Sequence, residues 1–245
     1  MIITSLNNDR IKNYIKLKDK KYRKITNTFL VEGEHLVREA YKAGRLKELI
    51  LLIDTDIDID VEKVFVTREI INKITDLETS PNVIGICSIN EVNRLSGDKY
   101  LLLDNVQDPG NLGTIIRSAK AFDIDTIVLS HDTVDIYNPK VVRATQGIMF
   151  HINIIVEDLE MVINDLKKNN IKIFGTDVEH GIIPSNISKG EKERFALVMG
   201  NEGAGVKESV KNLCDENINI PISKEVESLN VAVATSIILY EFSRR

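Results

Sequence analysis

The sequence predicts an α/β protein whose C-terminal part is built on a mostly parallel sheet. Short apolar segments of strand length alternate with segments of helical periodicity from residue 100 onward. Consecutive parallel strands need a crossover connection, usually a helix, so this alternation places helices on both faces of the sheet. A smaller set of strands and helices precedes residue 96 and is expected to form a unit of its own.

The front unit is expected to open with one amphipathic helix over residues 5–24, where apolar residues and lysines recur at spacings of three and four. Short apolar runs then predict strands at residues 29–33, 46–53, 64–66 and 83–89, and helices at residues 34–43 and 68–74. The strand pattern restarts after residues 96–98 (SGD). We therefore predict two domains, at residues 1–95 and 98–245.

The second unit continues the alternation to the C-terminus. Strands are expected at residues 100–104, 126–129, 152–156, 171–175, 195–199 and 218–220, and helices at residues 111–122, 139–144 and 158–168. A last helix is expected to open near residues 228–230. Asn111 and Asp158 are suitable N-caps, because their side-chain oxygens can accept hydrogen bonds from the first helical turn.

Composition excludes several classes of protein. The 245 residues contain no run of about 18 apolar residues and no basic leader, so we expect no membrane span, no secretory signal and a cytoplasmic location. Cys87 and Cys214 are isolated, and the histidines lack the spacing of metal ligands. Neither a disulfide nor a metal site is expected.

Charge is distributed unevenly along the chain, although the net formal charge is only −5. Residues 10–24 hold eight basic residues against one acidic residue, whereas residues 54–62 hold five acidic residues. A basic run of this kind is either a solvated helix face or a contact surface for nucleic acid. The run alone leaves both interpretations open.

A glycine-rich loop at residues 200–205 (GNEGAG) follows the apolar strand expected at residues 195–199. Its lysine is out of register for a phosphate-binding loop, and Glu208 stands where a dinucleotide-binding loop needs a small residue. The loop either brings its backbone close to another ligand or simply turns the chain. If the strands before residues 200 and 221 are neighbours, their ends converge with the last helix at one site.

Arg117 is the candidate functional cation of the second unit. It lies six residues after Asn111, which places it near the N-terminal end of the helix expected at residues 111–122. The helix dipole disfavours a positive charge there, so an anionic partner for Arg117 is expected. That partner is either a ligand or an acidic side chain of the chain itself.

Three stretches together resemble the signature motifs of the SpoU, or TrmH-type, RNA ribose 2′-O-methyltransferases of the SPOUT superfamily. They are residues 111–119 (NLGTIIRSA), residues 199–205 (MGNEGAG), and Ile220-Pro221 followed by residues 228–234 (SLNVAVA). The resemblance extends from about residue 101 to residue 242. Residues 29–33 (FLVEG) and 81–85 (PNVIG) also resemble the L30e-like RNA-binding domain that many members carry.

The resemblance implies a catalytic domain with a deep trefoil knot that binds S-adenosylmethionine, and a homodimer with active sites near its interface. It assigns cofactor contacts, largely through backbone groups, to Gly200, Ile220 and Leu229, and Asn230 is expected as a further cofactor contact whose amide can orient polar groups. It places the polar catalytic site at the side chains of Asn111, Arg117, Glu202, Ser228 and Asn230.

Methyl transfer to a ribose hydroxyl is an in-line displacement, so positioning of the reactants does most of the work. Arginine has been suggested as the general base in this family, but a guanidinium rarely gives up its proton. Arg117 is therefore interpreted as a phosphate clamp that also stabilises charge on the attacking oxygen. Glu202 is expected to order the glycine loop, and Ser228 either caps a helix or touches substrate.

An RNA substrate gives the basic run of the front unit a role, because phosphates attract lysine and arginine. Lys16, Lys20, Arg23 and Lys24 are the expected phosphate contacts. The leading hypothesis is methylation of a ribose 2′-hydroxyl in ribosomal RNA, with 23S-type RNA preferred. Transfer RNA is the alternative substrate. The rivals are a non-catalytic RNA-binding or ribosome-assembly protein and an α/β enzyme for small molecules.

Overall fold

The computed structural model describes residues 1–89, 94–201 and 203–244. Two compact units are present. The first contains residues 1–89 together with Asp135–Phe150, and the second contains the described parts of residues 94–134 and 151–244. Glu202, an expected site residue, lies outside the described part of the chain.

Strands and helices are numbered in chain order. The strands are β1 (Ile2–Ile3), β2 (Thr28–Glu32), β3 (Leu46–Leu52), β4 (Glu62–Val66), β5 (Val83–Ser88), β6 (Lys99–Leu103), β7 (Thr126–Leu129), β8 (Asn153–Val156), β9 (Lys172–Thr176), β10 (Phe195–Met199) and β11 (Glu216–Ile218). The helices are α1 (Asp9–Lys16), α2 (Lys20–Thr26), α3 (Glu34–Lys42), α4 (Arg68–Ile74), α5 (Pro109–Ala121), α6 (Pro139–Ala144), α7 (Leu159–Lys168), α8 (Glu208–Lys211) and α9 (Val231–Ser243).

The first unit is a five-stranded mixed sheet in the order β1-β4-β3-β5-β2. Strand β5 is antiparallel to both of its neighbours, and the other pairs are parallel. One face packs buried side chains such as Val31 and Leu49 against α3, and the opposite face packs Ile50 and Ile84 against α1 and α4. Apolar residues thus cover both faces of this sheet.

The single helix expected at residues 5–24 is wrong, because two helices occupy this stretch. Leu17 ends α1, and Asp19 caps α2 by accepting a hydrogen bond from the backbone N–H of Lys21 at 2.8 Å. A short polar side chain at such a position competes with helix continuation by bonding to the backbone itself. The periodicity of the apolar residues did not reveal this break.

The segment Asp135–Phe150, which includes α6, groups with the first unit. Val142 is buried in the same cluster as Phe29, whose ring centroid lies 4.7 Å from that of Tyr137 and 6.2 Å from that of Phe150. The sequence pattern had placed this helix in the second domain. The division of the chain into two domains, at residues 1–95 and 98–245, stays a prediction.

The second unit contains a six-stranded sheet in the order β11-β9-β10-β6-β7-β8, and every pair in it is parallel. The predicted α/β class is confirmed. Phe242 of α9 contacts Phe195 and Phe174 edge-on, with ring centroids 4.7 and 5.5 Å apart, so α9 covers one face of the sheet. Leu159 and Ile163 of α7 pack on the other face.

Because these strands are parallel, their carboxyl ends lie at one edge of the sheet. The segments that follow β6, β9, β10 and β11 all leave the sheet from that edge. Open α/β sheets bind their ligands in the crevice outside the carboxyl ends of the strands. The glycine-rich loop after β10 is one of these segments, so the fold places it where a ligand site is expected.

Candidate active site

A cavity of about 410 Å³ lies at the carboxyl edge of the second sheet. Its walls come from the segments after β9, β10 and β11 and from the first turns of α9. Gly200, Ile220, Ser228 and Leu229, which come from three separate segments of the chain, all line it. The volume falls in the range of about 300–1,000 Å³ that is typical of small-molecule sites.

The glycine loop closes tightly on itself beside this cavity. Asn201 and Gly205 exchange two backbone hydrogen bonds, of 2.9 and 3.0 Å, and Gly205 has a φ of +69°. A Cβ atom on Gly200 would lie 2.2 Å from the carbonyl carbon of Gly205 and 2.2 Å from the nitrogen of Val206. Gly200 is therefore required by close backbone approach, and the loop offers its main chain to the cavity.

Asn201 holds this loop through its side chain, a role that the sequence analysis missed. Its Oδ1 accepts hydrogen bonds from the backbone N–H groups of Gly203 and Ala204, at 2.9 and 3.0 Å. Its Nδ2 donates to the carbonyl oxygen of Asn105 at 2.8 Å. The signal in the sequence was an asparagine directly after Gly200 and two residues before Gly203, a setting typical of a turn closed by the asparagine side chain.

Asn111 and Asn230 form a polar pair that the structure brings together across 119 residues of chain. Nδ2 of Asn230 donates to Oδ1 of Asn111 at 2.9 Å, while Oδ1 of Asn230 caps α9 by accepting from the N–H groups of Ala232 and Val233. Asn230 stands between two residues that line the cavity, Leu229 and Val231. Its side chain is engaged by the helix and by Asn111.

The N-cap of α5 is Asp108, so the expectation that Asn111 caps this helix is wrong. Oδ1 of Asp108 accepts from the backbone N–H of Asn111 at 2.8 Å, and Pro109 occupies the first turn. Proline suits that turn because its φ is already helical and its missing N–H would have had no partner. The side-chain oxygen of Asn111 accepts from Asn230 instead of capping α5.

Arg117 lies in the second half of α5, which begins at Pro109 and ends at Ala121. The helix-dipole argument for an anionic partner is therefore wrong, since a cation is tolerated in the second half of a helix. Arg117 is exposed, and no residue in the described part of the chain forms an ion pair with it. The intramolecular salt bridge considered for Arg117 is therefore not formed with any residue that the structure describes.

Asp177 and Lys211 form an ion pair in the cavity wall that the sequence analysis did not identify. Oδ2 of Asp177 lies 2.5 Å from Nζ of Lys211, and Oδ1 accepts from the backbone N–H groups of Glu179 and His180. The hydrogen bond from Lys211 is the main reason that the pKa of Asp177 falls to about 2. Only the fold reveals this pair, because 34 residues separate its members.

Asp177→Asn is expected to lower the melting temperature at pH 7. The folded-state pKa of Asp177 lies below its ordinary value of 3.8, so the carboxylate stabilises the fold above that value. The difference in melting temperature between the variant and the parent should shrink as the pH falls from about 4 to about 2. Asp132→Asn, which removes an exposed partner of Lys207, is the control and should have a smaller effect. A difference that does not change with pH would contradict this role.

The basic run of the first unit divides into exposed and engaged side chains. Lys16, Lys20 and Lys24 are exposed, as expected of phosphate contacts. Arg23 is 4% exposed, and its guanidinium donates to the carbonyl oxygens of Leu17 and Lys18 and pairs with Asp135. The expectation that Arg23 faces solvent as a phosphate contact is wrong, because an internal ion pair and the surrounding backbone use its donors.

Two further expectations concern metals and membranes. Among residues 1–89, 94–201 and 203–244, no group of three or more histidine, cysteine, aspartate or glutamate side chains is arranged to hold a metal ion. Within the same ranges, no helix has both the length and the apolar character needed to cross a lipid bilayer.

A model of the SpoU rRNA methylase family matches residues 98–240, more than half of the chain. The chain belongs to the SpoU rRNA methylase family. The resemblance inferred from the three motifs is therefore confirmed, and the site described above is that of a SpoU family member. A second model, for the MRM3-like substrate binding domain, matches residues 8–85.

Individual proteins are similar to this SpoU family member in sequence and in structure. It is 40% identical over 243 residues to the 23S rRNA (guanosine(2553)-2′-O)-methyltransferase of Bacillus subtilis, with 97% of each chain covered. It is similar to the solved structure of an AdoMet-bound rRNA methyltransferase from Sinorhizobium meliloti, with 30% identity and a TM-score of 0.88. That match covers 99% of this chain and 97% of the other.

A third comparison gives the same result. A putative RNA methyltransferase of the TrmH family from Porphyromonas gingivalis superimposes with a TM-score of 0.87 at 29% identity. It covers 97% of this chain and 98% of the other. The similarity therefore extends over both units of this SpoU family member and is not confined to the motifs.

Proposed function

We propose that this protein transfers a methyl group from S-adenosylmethionine to the ribose 2′-hydroxyl of a guanosine in 23S ribosomal RNA. The observation that carries the proposal is the cavity walled by glycine backbone and aliphatic side chains, which adjoins the Asn111–Asn230 pair. The 40% identity to the 23S rRNA (guanosine(2553)-2′-O)-methyltransferase of Bacillus subtilis supports a guanosine of 23S RNA as the substrate.

The cavity fits S-adenosylmethionine by shape and chemistry. Ile220 and Leu229 provide aliphatic surface for an adenine ring, and the close approach of Gly200 to Gly205 leaves main-chain groups facing the cavity. When bound, S-adenosylmethionine supplies an electrophilic methyl group. Gly200, Gly203 and Gly205 line the cavity without side chains of their own, which leaves room there for a ligand the size of a nucleoside.

The polar groups near the cavity are assigned to positioning and to charge stabilisation. The linked amides of Asn111 and Asn230 hold the N-terminal ends of α5 and α9 together, so they fix the geometry next to Leu229. Arg117, which forms no ion pair with any residue that the structure describes, is assigned to an RNA phosphate and to the charge that develops on the attacking oxygen. Ser228 lines the cavity and is assigned to polar contact there.

A homodimer is part of the proposal. Helix α9 buries Val231 and Ile238 on one face, while Val233, Ile237 and Tyr240 on another are 48%, 36% and 53% exposed. A helix that is apolar on all sides is usually buried on every face. In a dimer with two-fold symmetry, the same surface of a second copy would bury the exposed face of α9. A monomer in sedimentation equilibrium would contradict this part of the proposal.

The same face carries Thr114 of α5, three residues before Arg117, beside Val233 and Tyr240. Residues three apart on a helix are neighbours, so a dimer formed there would bring Arg117 to the interface. The deep trefoil knot is likewise proposed, supported by the segments after β9, β10 and β11 that share the cavity wall. The cytoplasmic location also stays a prediction.

A triple variant is expected to weaken RNA binding. It combines Lys16→Gln, Lys20→Gln and Lys24→Gln. Each lost phosphate contact should reduce the slope of log affinity against log salt by about 0.7–0.9, so the triple variant should lose roughly 2–3. Lys168→Gln, on exposed α7 surface of the second unit, is the control and should leave the slope unchanged. RNA binding by the triple variant with the parental slope would exclude this surface.

The proposed function is tested by incubating the full chain with S-adenosylmethionine labelled on its methyl group and separate ribosomal and transfer RNA pools. Label in ribosomal RNA, strongest in RNA from a strain that lacks the enzyme, is the expected result. Label confined to transfer RNA would show that the substrate is transfer RNA, with the same methyl-transfer reaction. Absence of label from both pools would favour a non-catalytic RNA-binding protein.

A further inference from the structure

Asp104, at the end of β6, is a buried carboxylate without a role in the proposed chemistry. It is 1% exposed, and it is the only charged side chain that is fully buried in the described part of the second unit. Burial of a carboxylate costs free energy unless hydrogen-bond donors compensate for the lost water. Its Oδ2 accepts from the backbone N–H of Lys207 at 2.8 Å, and its Oδ1 lies 3.7 Å from Nζ of Lys207.

These contacts reach one end of the glycine loop, and the backbone of Asp104 reaches the other end. The N–H of Asp104 donates to the carbonyl oxygen of Met199 at 2.8 Å, directly before Gly200. Lys207 follows Val206, which comes directly after the loop and lines the cavity. One residue therefore fixes both the entry and the exit of the loop.

Asn105 adds a third attachment. Its carbonyl oxygen accepts from Nδ2 of Asn201 at 2.8 Å, and its own N–H donates to Oγ of Ser130 at 2.9 Å. Asn105 adopts a left-handed φ of 59°, a conformation that asparagine tolerates better than most residues. This turn directs its carbonyl oxygen towards the glycine loop, and the chain then runs on to Asp108, the cap of α5.

We propose that Asp104 and Asn105 are positioning residues that hold the glycine loop in its cofactor-binding shape and tie it to the start of α5. The inference rests on the proposed function. Gly200 and Gly205 meet backbone to backbone and the side chain of Asn201 bonds within the loop, so holding the loop relative to α5 requires contacts from outside it. External attachments at Met199, Asn201 and Lys207 take over that task, so the register between cofactor loop and α5 depends on two consecutive residues.

The alternative is that Asp104 only stabilises the fold. Asp104→Ala leaves the N–H of Lys207 without its acceptor, and a loosened loop is expected to weaken S-adenosylmethionine binding about tenfold. Asp104→Asn keeps an acceptor oxygen for the same N–H, so it should restore most of the affinity. A purely stabilising residue would lower the melting temperature without changing the affinity of the folded protein.

The experiment measures the Kd of S-adenosylmethionine by calorimetry on the full chain, well below the melting temperature of each variant. The expected order of affinity is parent, Asp104→Asn, then Asp104→Ala. Asp132→Asn is the control, because it removes the exposed partner of Lys207 and leaves the backbone contact in place. Its Kd should equal that of the parent.

Parental Kd for Asp104→Ala would overturn the proposal, and so would equal losses in Asp104→Asn and Asp104→Ala. If Asp104→Ala does not fold, Asn201→Asp decides, because it keeps Oδ1 for Gly203 and Ala204 but loses the donor to Asn105. Its Kd should rise about tenfold, and a parental value would overturn the proposal. Failure of the parent to bind S-adenosylmethionine would refute the proposed function instead.

Discussion

Gly200→Ala is expected to weaken S-adenosylmethionine binding about 100-fold while the protein remains folded. The added methyl group would lie 2.2 Å from backbone atoms of Gly205 and Val206, and backbone cannot move aside as a flexible side chain can. The loop must therefore open, at a cost of about 1–3 kcal/mol for overpacking, which corresponds to roughly five- to 150-fold in affinity.

Gly203→Ala is the matched control in the same loop. The nearest atom to a Cβ at Gly203 is Oδ1 of Asn201 at 3.7 Å, an ordinary contact distance, and Gly203 has no left-handed φ. Its Kd should stay within about threefold of the parent. Equal losses for the two variants, measured by calorimetry beside far-ultraviolet circular dichroism, would show that close backbone approach at Gly200 is not what shapes the site.

Arg117→Ala is expected to reduce turnover by about 100- to 1,000-fold, the range found when a donor to a developing oxyanion is removed. Cofactor affinity and melting temperature should change little, because Arg117 is exposed and forms no ion pair in the described part of the chain. Single-turnover rates with ribosomal RNA, together with the Kd of S-adenosylmethionine, separate these effects.

Two further variants complete this test. Arg117→Lys keeps the charge but loses the planar two-pronged donor, so it should recover only part of the rate. Lys120→Ala removes an exposed cation one turn later on α5 and should leave turnover nearly unchanged. Normal turnover by Arg117→Ala would remove Arg117 from the mechanism.

Local sequence chemistry predicted the parts of the site that depend on short-range geometry. Glycines 200 and 205 indicated close backbone approach, and the structure explains both positions by a loop that folds back on itself. The start of α5 could also have been predicted correctly, because Asp108-Pro109 is a typical cap followed by a first-turn proline. Placing the start at Asn111 instead moved Arg117 too near the N-terminus and produced a wrong electrostatic argument.

The sequence alone did not predict which charged residues pair with each other when they are far apart in the chain. Arg23 belongs to a run of basic residues, yet it pairs with Asp135, 112 residues later, and is buried. Asp104 and Asp177 looked like ordinary acidic residues, but the fold gives each a lysine partner next to the cavity. Charge patterns show where ionic side chains occur, whereas only the packing of elements decides which of them remain free for a ligand.

We propose that the methyl group is delivered to a ribose 2′-oxygen of 23S ribosomal RNA. Alkaline hydrolysis of RNA labelled by the enzyme tests it most directly, because cleavage requires a free 2′-hydroxyl next to the phosphate. We expect the label to be recovered from 23S RNA in an alkali-stable dinucleotide whose 5′ residue is guanosine. Label recovered in mononucleotides, as for a methylated base, would contradict it.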